Sequence, residues 1–126
     1  MIRILIVDDH EGIRKAVREV LTRRLEAAEI EEAGDADEAC RRVENEPWQL
    51  VLLDLSLGGP RGLDTLRRIK QLCPTLPVLI MSMHPEEKYA PAARAAGAAG
   101  YVMKGASAGA IADAVRAALD QQAPGG

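Results

Sequence analysis

Apolar positions along the chain follow two rhythms. Five short runs are apolar or nearly so: Ile2 to Val7, approximately Glu29 to Ala33, Leu50 to Leu53, Pro77 to Met81 and Gly100 to Met103. They alternate with five longer stretches in which apolar residues return every three or four positions, the period of a helix packed on one side. Continuous apolar runs of this length suit strands covered on both faces. The pattern therefore predicts one α/β domain whose parallel sheet lies between two layers of helices. The second run carries Glu29, Glu31 and Glu32 and is expected at an edge of the sheet.

The helical stretches bring boundary signals of their own. Ile13, Ala16, Val17, Val20, Leu21 and Leu25 give the first an inward stripe. Five basic residues from Arg14 to Arg24 occupy its other positions and read first as a solvated face, with partner docking as the other reading. Asp35 followed by Glu38 predicts a capping box at the start of the second helix, which ends before Pro47. Leu63, Leu66, Ile69 and Leu72 mark the third, stopped by Cys73-Pro74, and Ile111, Ala114, Val115, Ala118 and Leu119 stripe the last, with Ser107 as cap. Pro91 complicates the fourth. Its ring removes an intrahelical hydrogen bond unless it sits in the first turn, so that helix is expected to start near Tyr89 or to have a distorted first turn. Trp48 is expected beside the start of the third strand, far from Asp54. Residues 1–120 are read as the domain and 121–126 as a tail or the start of a linker.

Composition narrows the possibilities. A length of 126 residues suits a single domain with a sizeable core, and with 2% aromatics and no Phe that core must be aliphatic. The net charge of −3 lacks the basic footprint of a phosphate-backbone binder, so direct DNA binding by this chain is not expected. Cys40 and Cys73 have no Cys or His at metal-ligand spacing and read as two reduced structural thiols. The N-terminal apolar run is too short for a signal sequence and is interrupted by Arg3, and no later run approaches a membrane span. A cytoplasmic location is the resulting expectation.

In a doubly wound sheet, ligands bind beyond the carboxyl ends of the strands, so the residues just after each run are the candidates. These are Asp8 and Asp9, Asp54, Ser82 and Lys104. Three carboxylates brought together repel one another unless a divalent cation and an ammonium neutralise them. Magnesium takes hard oxygen ligands and keeps several waters, which suits one or two carboxylates plus a phosphoryl oxygen. A carboxylate beside it can attack phosphorus in line and form an aspartyl phosphate. Taken singly, each residue has a plainer reading: Asp8 and Asp9 as caps of the first helix, Asp54 as a turn residue, Ser82 as a loop hydroxyl, Lys104 as a loop cation. Their coincidence at one end of one sheet favours a site.

The segments ILIVDDH, LVLLDLSL, VLIMSMH and GYVMKGAS, in this order across essentially the whole chain, resemble the response-regulator receiver domain. The last two are most like receivers that precede a LuxR-type helix-turn-helix effector of the NarL/FixJ group. The resemblance implies a flavodoxin-like, doubly wound five-stranded sheet of order 2-1-3-4-5 with helices on both faces. It implies Asp54 as the phosphoacceptor and a Mg2+ site made by Asp9 directly, Asp8 largely through water, Asp54 itself and the backbone carbonyl of Ser56. Lys104 would contact the phosphoryl group, Ser82 would hydrogen-bond one of its oxygens, and Tyr101 would be the aromatic switch that turns inward as Ser82 moves. The implied partners are a sensor histidine kinase, a second copy of the chain on phosphorylation, and DNA only through an effector domain absent from this chain. The implied chemistry is catalysis of its own phosphorylation and dephosphorylation.

The chain also departs from the family pattern. Gly58 stands four residues after Asp54, where proline is common, and is followed by Gly59 and Pro60, so a looser loop is expected. Lys104-Gly105 replaces a lysine-proline pair, and a trans bond follows on energetic grounds. Met83 replaces a smaller residue and is expected to narrow access to Asp54. Ser56 and His84, each two places beyond a site residue, are expected to flank attacking water and tune the lifetime of the phosphorylated state. Other readings fit less well. A phosphorylation-independent binding module has no use for the set Asp9, Asp54 and Lys104. A haloacid-dehalogenase-like phosphatase would want a second Asp where Ser56 stands, and a dinucleotide-binding fold would want G-x-G-x-x-G after the first strand. The chain is expected to be either an excised receiver or a single-domain regulator, and the ending APGG fits a cut made in a linker.

Overall fold

The computed structural model describes residues 2–26, 28–55, 60–83 and 86–120, with the backbone alone at 60–61 and 86–89. Five strands, β1 (Ile2–Val7), β2 (Ala28–Ala33), β3 (Leu50–Asp54), β4 (Val78–Ser82) and β5 (Gly100–Met103), alternate with five helices, α1 (Glu11–Arg24), α2 (Ala36–Asn45), α3 (Pro60–Leu72), α4 (Glu86–Ala95) and α5 (Ala108–Asp120). All strand pairs are parallel, in the order β2-β1-β3-β4-β5, as the resemblance implies. No helix among the described residues is long and apolar enough to cross a membrane.

Side chains of a strand point alternately to the two faces of a sheet, and this divides the aliphatic residues into two cores. Leu5, Val7, Val51, Leu53, Val78 and Ile80 pack with Ala39, Cys40 and Val43 of α2, Leu66 and Ile69 of α3, and Ala93 of α4. Ile4, Ile6, Leu50, Leu52, Leu79, Met81 and Val102 face Val17 and Leu21 of α1 and Ile111, Val115 and Ala118 of α5. Burying each such Leu, Ile or Val side chain contributes about 1.5–3 kcal/mol, which makes these two layers the main support of the sheet.

The helix boundaries follow their caps. Asp35 accepts the Glu38 backbone N–H at 2.8 Å, and Ser107 Oγ accepts that of Ala110 at 3.1 Å. Gly97, with φ of 104°, ends α4 in a Schellman turn: Ala98 N–H bonds the Ala93 carbonyl and Gly97 N–H that of Arg94. Gly62 is required for a different reason. A Cβ there would run into the Leu55 carbonyl oxygen, so only glycine lets the first turn of α3 close on the chain leaving β3.

Several expectations need correction. α4 begins at Glu86, three residues before Tyr89, and runs through Pro91, which lies beyond its first turn. Ala16 and Leu72 face solvent, because the buried stripes of α1 and α3 are narrower than their apolar content. Asp8 and Asp9 do not cap α1, whose N-cap residue is His10. The edge position of β2 holds, but its acids do more than repel other strands. Arg3 bonds Glu29 at 3.1 Å, Glu31 at 2.7 Å and Glu46 at 2.9 Å, and Arg42 pairs with Glu31 and Glu46. Both guanidiniums lie over the ring of buried Trp48, at 4.3 and 5.3 Å from its centroid. Cys40 and Cys73 are free thiols.

Candidate functional site

The same alternation that builds the cores assembles the site. Ile4 and Ile6 precede Asp8, Leu50 and Leu52 precede Asp54, and Val102 precedes Lys104, so all three polar residues continue the strand face that looks toward α1 and α5. Val7 is in register with Leu53, which brings Asp8 and Asp54 alongside one step later. Backbone bonds carry the ladder past the strand ends: Asp8 N–H to Ala33 at 3.1 Å, Leu55 N–H to Met81 at 2.9 Å and Lys104 N–H to Ser82 at 2.9 Å. Asp54 and Ser82 are thus the last residues of their strands rather than the first residues beyond them.

The charges meet out of water. Asp8 and Asp54 are 3% and 2% exposed, and the Lys104 side chain is 4% exposed. Its Nζ lies 2.8 Å from Asp54 Oδ2 and 3.0 Å from Asp8 Oδ2. Burial opposes the charged form of Asp8, but the His10 backbone N–H and the Lys104 ammonium outweigh it and hold that carboxyl below its ordinary range. Burial likewise disfavours the Lys104 ammonium, yet its bonds to Asp54 and Asp8 raise its pKa above the usual lysine value. Desolvating such ions costs several kcal/mol each, so this arrangement does not earn its place as a stabilising element. Asp9 stands at the mouth, half exposed.

Donor atoms of Asp8, Asp9, His10 and Asp54 lie within 4.8 Å of one another. Three carboxylates beside the Lys104 ammonium leave net negative charge around a space that one cation can fill, and a donor set dominated by carboxylates fits a hard divalent metal. Ser82 is fully buried and follows Ile80 by two, so it points to the opposite face of the sheet, the side where Tyr101, paired with Ile80, packs against the α2–α4 core. Met83 is exposed, so its side chain is not packed down over the carboxylates. The Lys104–Gly105 bond is trans. Ser56, Gly58, Gly59, His84 and the tail 121–126 lie outside the described residues.

Two contributors escaped the sequence reading. Arg14, counted there among the solvated charges of the first helix, donates to the Asp8 carbonyl oxygen at 2.6 Å and to Glu32 at 3.1 Å, clamping the acidic segment to the edge strand. His10 turns its imidazole toward Asp8 and Asp9, at 3.2 and 3.0 Å. The signal for His10 was its place directly after two aspartates; for Arg14 there was none, since its partners depend on the tertiary fold.

The pattern of the family described as "Response regulator receiver domain" matches residues 4–116. The chain is 40% identical over 116 residues to the transcriptional activator protein ExaE of Pseudomonas putida, covering 92% of this chain and 54% of that protein. It is 30% identical over 122 residues to the response regulator UvrY of Escherichia coli, covering 97% of this chain and 56% of the relative. The chain thus spans about half the length of these curated relatives. Among solved structures, a two-component response regulator of the LuxR family from an Aurantimonas species superposes with a TM-score of 0.87 at 37% identity, over 94% of this chain and 85% of the other. A CheY-like receiver domain protein from Methanospirillum hungatei gives 0.86 at 29% identity, over 97% and 96%. With the fold, the strand-end carboxylates and the lysine in place, the chain belongs to the response regulator receiver domain family.

Proposed function

We propose that this receiver, residues 1–120, is a phosphorylation-dependent switch of a two-component system. It accepts a phosphoryl group on Asp54 from a sensor histidine kinase in the cytoplasm. The observation that carries this reading is Lys104 Nζ poised between buried Asp54 and Asp8, inside an acidic cluster at the carboxyl ends of the strands. Asp8, Asp9, Asp54 and the backbone carbonyl of Ser56 would hold Mg2+, which when bound neutralises charge on the transferring phosphoryl group.

The chain's own residues do the rest. Asp54, held rigidly at the end of a buried strand, directs a carboxylate oxygen at phosphorus. The new oxygen–phosphorus bond forms as the bond to the donor breaks, and the donor leaves with that bond's electron pair. Lys104 leaves its ion pair with Asp54 to meet the charge that grows on the phosphoryl oxygens. Water later attacks phosphorus, the Asp54 oxygen–phosphorus bond breaks to return the carboxylate and release inorganic phosphate, and Ser56 and His84 would set the lifetime of the phosphorylated state. Ser82 bonds a phosphoryl oxygen, and Tyr101, on the same sheet face, moves into the space it leaves. The altered α4–β5 surface then controls an effector, a transcription regulator that contacts DNA through its own domain, with dimerisation following phosphorylation.

Incubation with a small phosphodonor and Mg2+ tests this reading. Wild type is expected to gain the mass of one phosphoryl group and Asp54→Ala none; an unmodified wild type, or equal gain by the variant, would overturn it.

A further inference from the structure

The segment that carries two of the three carboxylates, between β1 and α1, is held by a side chain that bonds to neither of them. Arg14, early in α1, donates from Nη1 to the Asp8 main-chain carbonyl at 2.6 Å and from Nε to Glu32 Oε1 of β2 at 3.1 Å. Both side chains of this pair are 16% exposed. The second Glu32 oxygen accepts from Arg18 at 3.2 Å, which fixes the carboxylate that Arg14 leans on. The chain leaving β2 also closes over the guanidinium, since a Cβ on Gly34 would stand 3.5 Å from Nη1. We propose that Arg14 is a positioning residue for the cation of this site: by tying the Asp8 carbonyl to Glu32, it holds Asp8 and Asp9 where a divalent metal needs them. The inference rests on the acidic cluster being a cation site.

Like charges in the cluster push the β1–α1 segment outward, and half-exposed Asp9 has the room to go. Asp8 is bonded to β2 at both ends of its backbone: directly through its N–H to Ala33, and through Arg14 at its carbonyl. The peptide after it is trans and planar, so holding its oxygen also fixes the plane that leads into Asp9. A segment held in this way does not have to be ordered when the metal arrives, which raises affinity. Charge alone makes the opposite forecast. A guanidinium near a cation site repels the cation, so its removal would tighten binding; as the anchor of the segment, its removal loosens binding. The two accounts differ in sign.

Magnesium titrations of the whole chain by calorimetry test this, with wild type, Arg14→Ala, Arg14→Lys and Glu32→Gln. Arg14→Ala is expected to weaken Mg2+ binding about tenfold, as loss of a partner behind a metal ligand does. Arg14→Lys keeps the charge but not the fork that spans carbonyl and carboxylate, and should lose at least about threefold; it carries the test if Arg14→Ala does not fold. Glu32→Gln retains an oxygen acceptor for Nε and should lose less than about threefold. In phosphorylation by a small phosphodonor, the half-saturating Mg2+ concentration of Arg14→Ala should rise about tenfold while the rate at saturating Mg2+ stays within about threefold of wild type. Tighter or unchanged Mg2+ binding by Arg14→Ala, full affinity in Arg14→Lys, or a rate loss that saturating Mg2+ does not restore would overturn the positioning role while leaving the cation site in place. A wild type that binds no Mg2+ at millimolar concentration would overturn the cation-site reading and the proposal with it.

Discussion

Charge gathers at two ends of this sheet and is handled in opposite ways. Near the start of β1 and β3, Glu29, Glu31 and Glu46 meet two guanidiniums, and Arg3 and Arg42 lie over the face of Trp48. At the other end, buried Asp8 and Asp54 share the Lys104 ammonium, and half-exposed Asp9 stands beside them against His10. The first cluster closes on itself, half in water, where ion pairs are cheap to form and each acid has a partner. The second keeps negative charge in a place where desolvation makes it costly. Such an imbalance fits a place that could take a cation rather than a contribution to the fold, so the two ends divide the molecule into clasp and candidate site.

The largest expected effect breaks the site without touching the clasp. Lys104→Met should slow phosphorylation by a small phosphodonor about 100-fold, since a preorganised cation facing developing charge is lost; a rate within about twofold of wild type, measured by intact mass over time, would show that Lys104 is only structural. The converse damage is Trp48→Ala. It removes a buried ring and the platform of two arginines, and should cost about 3–5 kcal/mol in urea unfolding while the folded fraction still accepts one phosphoryl group. Loss of acceptance in folded protein would mean that the two ends are coupled.

Acid sharpens the contrast. Hydrogen bonds from Arg42, then Arg3, hold the carboxyls of Glu31 and Glu46 below their ordinary value of 4.5. Groups with depressed folded-state pKa values stabilise above the unfolded value, and that contribution fades as pH falls through the folded one. The stability lead of wild type over Arg42→Ala should therefore be widest near neutrality and shrink below pH 4.5, read as the difference in urea midpoints. A lead that stays constant to strongly acidic pH would mean that packing on Trp48, not charge, is what Arg42 supplies. The smallest effect has the opposite sign. In metal-free buffer Asp9→Asn should raise stability by about 0.5 kcal/mol, because it relieves repulsion that serves the site and not the fold; a loss of stability would contradict the division into clasp and site.

Much of this was legible before any coordinates. Strands buried on both faces read as unbroken aliphatic runs, so Val51 to Leu53 announced β3, and a carboxylate ending such a run announced Asp54. Lys104 was legible in the same way, directly after β5. What escaped depends on long side chains whose partners are distant in sequence. Arg3 looked like an interruption of an apolar run, yet it gathers β2 and the end of α2 around Trp48. Arg14 looked like one solvated charge among five, yet it grips the Asp8 carbonyl. The helical period overcounted the buried stripe at Ala16 and Leu72, since it marks which residues share a face but not where the neighbouring layer stops. Pro91 misplaced the start of α4, because the cost of a proline ring beyond the first turn is local and the apolar contacts of Ala90 and Ala93 override it.

The central claim is that Asp54 is the phosphoacceptor, and trapping the acyl phosphate tests it most directly. Protein treated with phosphodonor and Mg2+ is reduced with borohydride, which converts a phosphorylated aspartate to homoserine, then digested with trypsin and sequenced by mass spectrometry. The account predicts homoserine at Asp54, in the peptide from Val43 to Arg61, and at no other aspartate. Homoserine at Asp8 or Asp9 with Asp54 unchanged would contradict it.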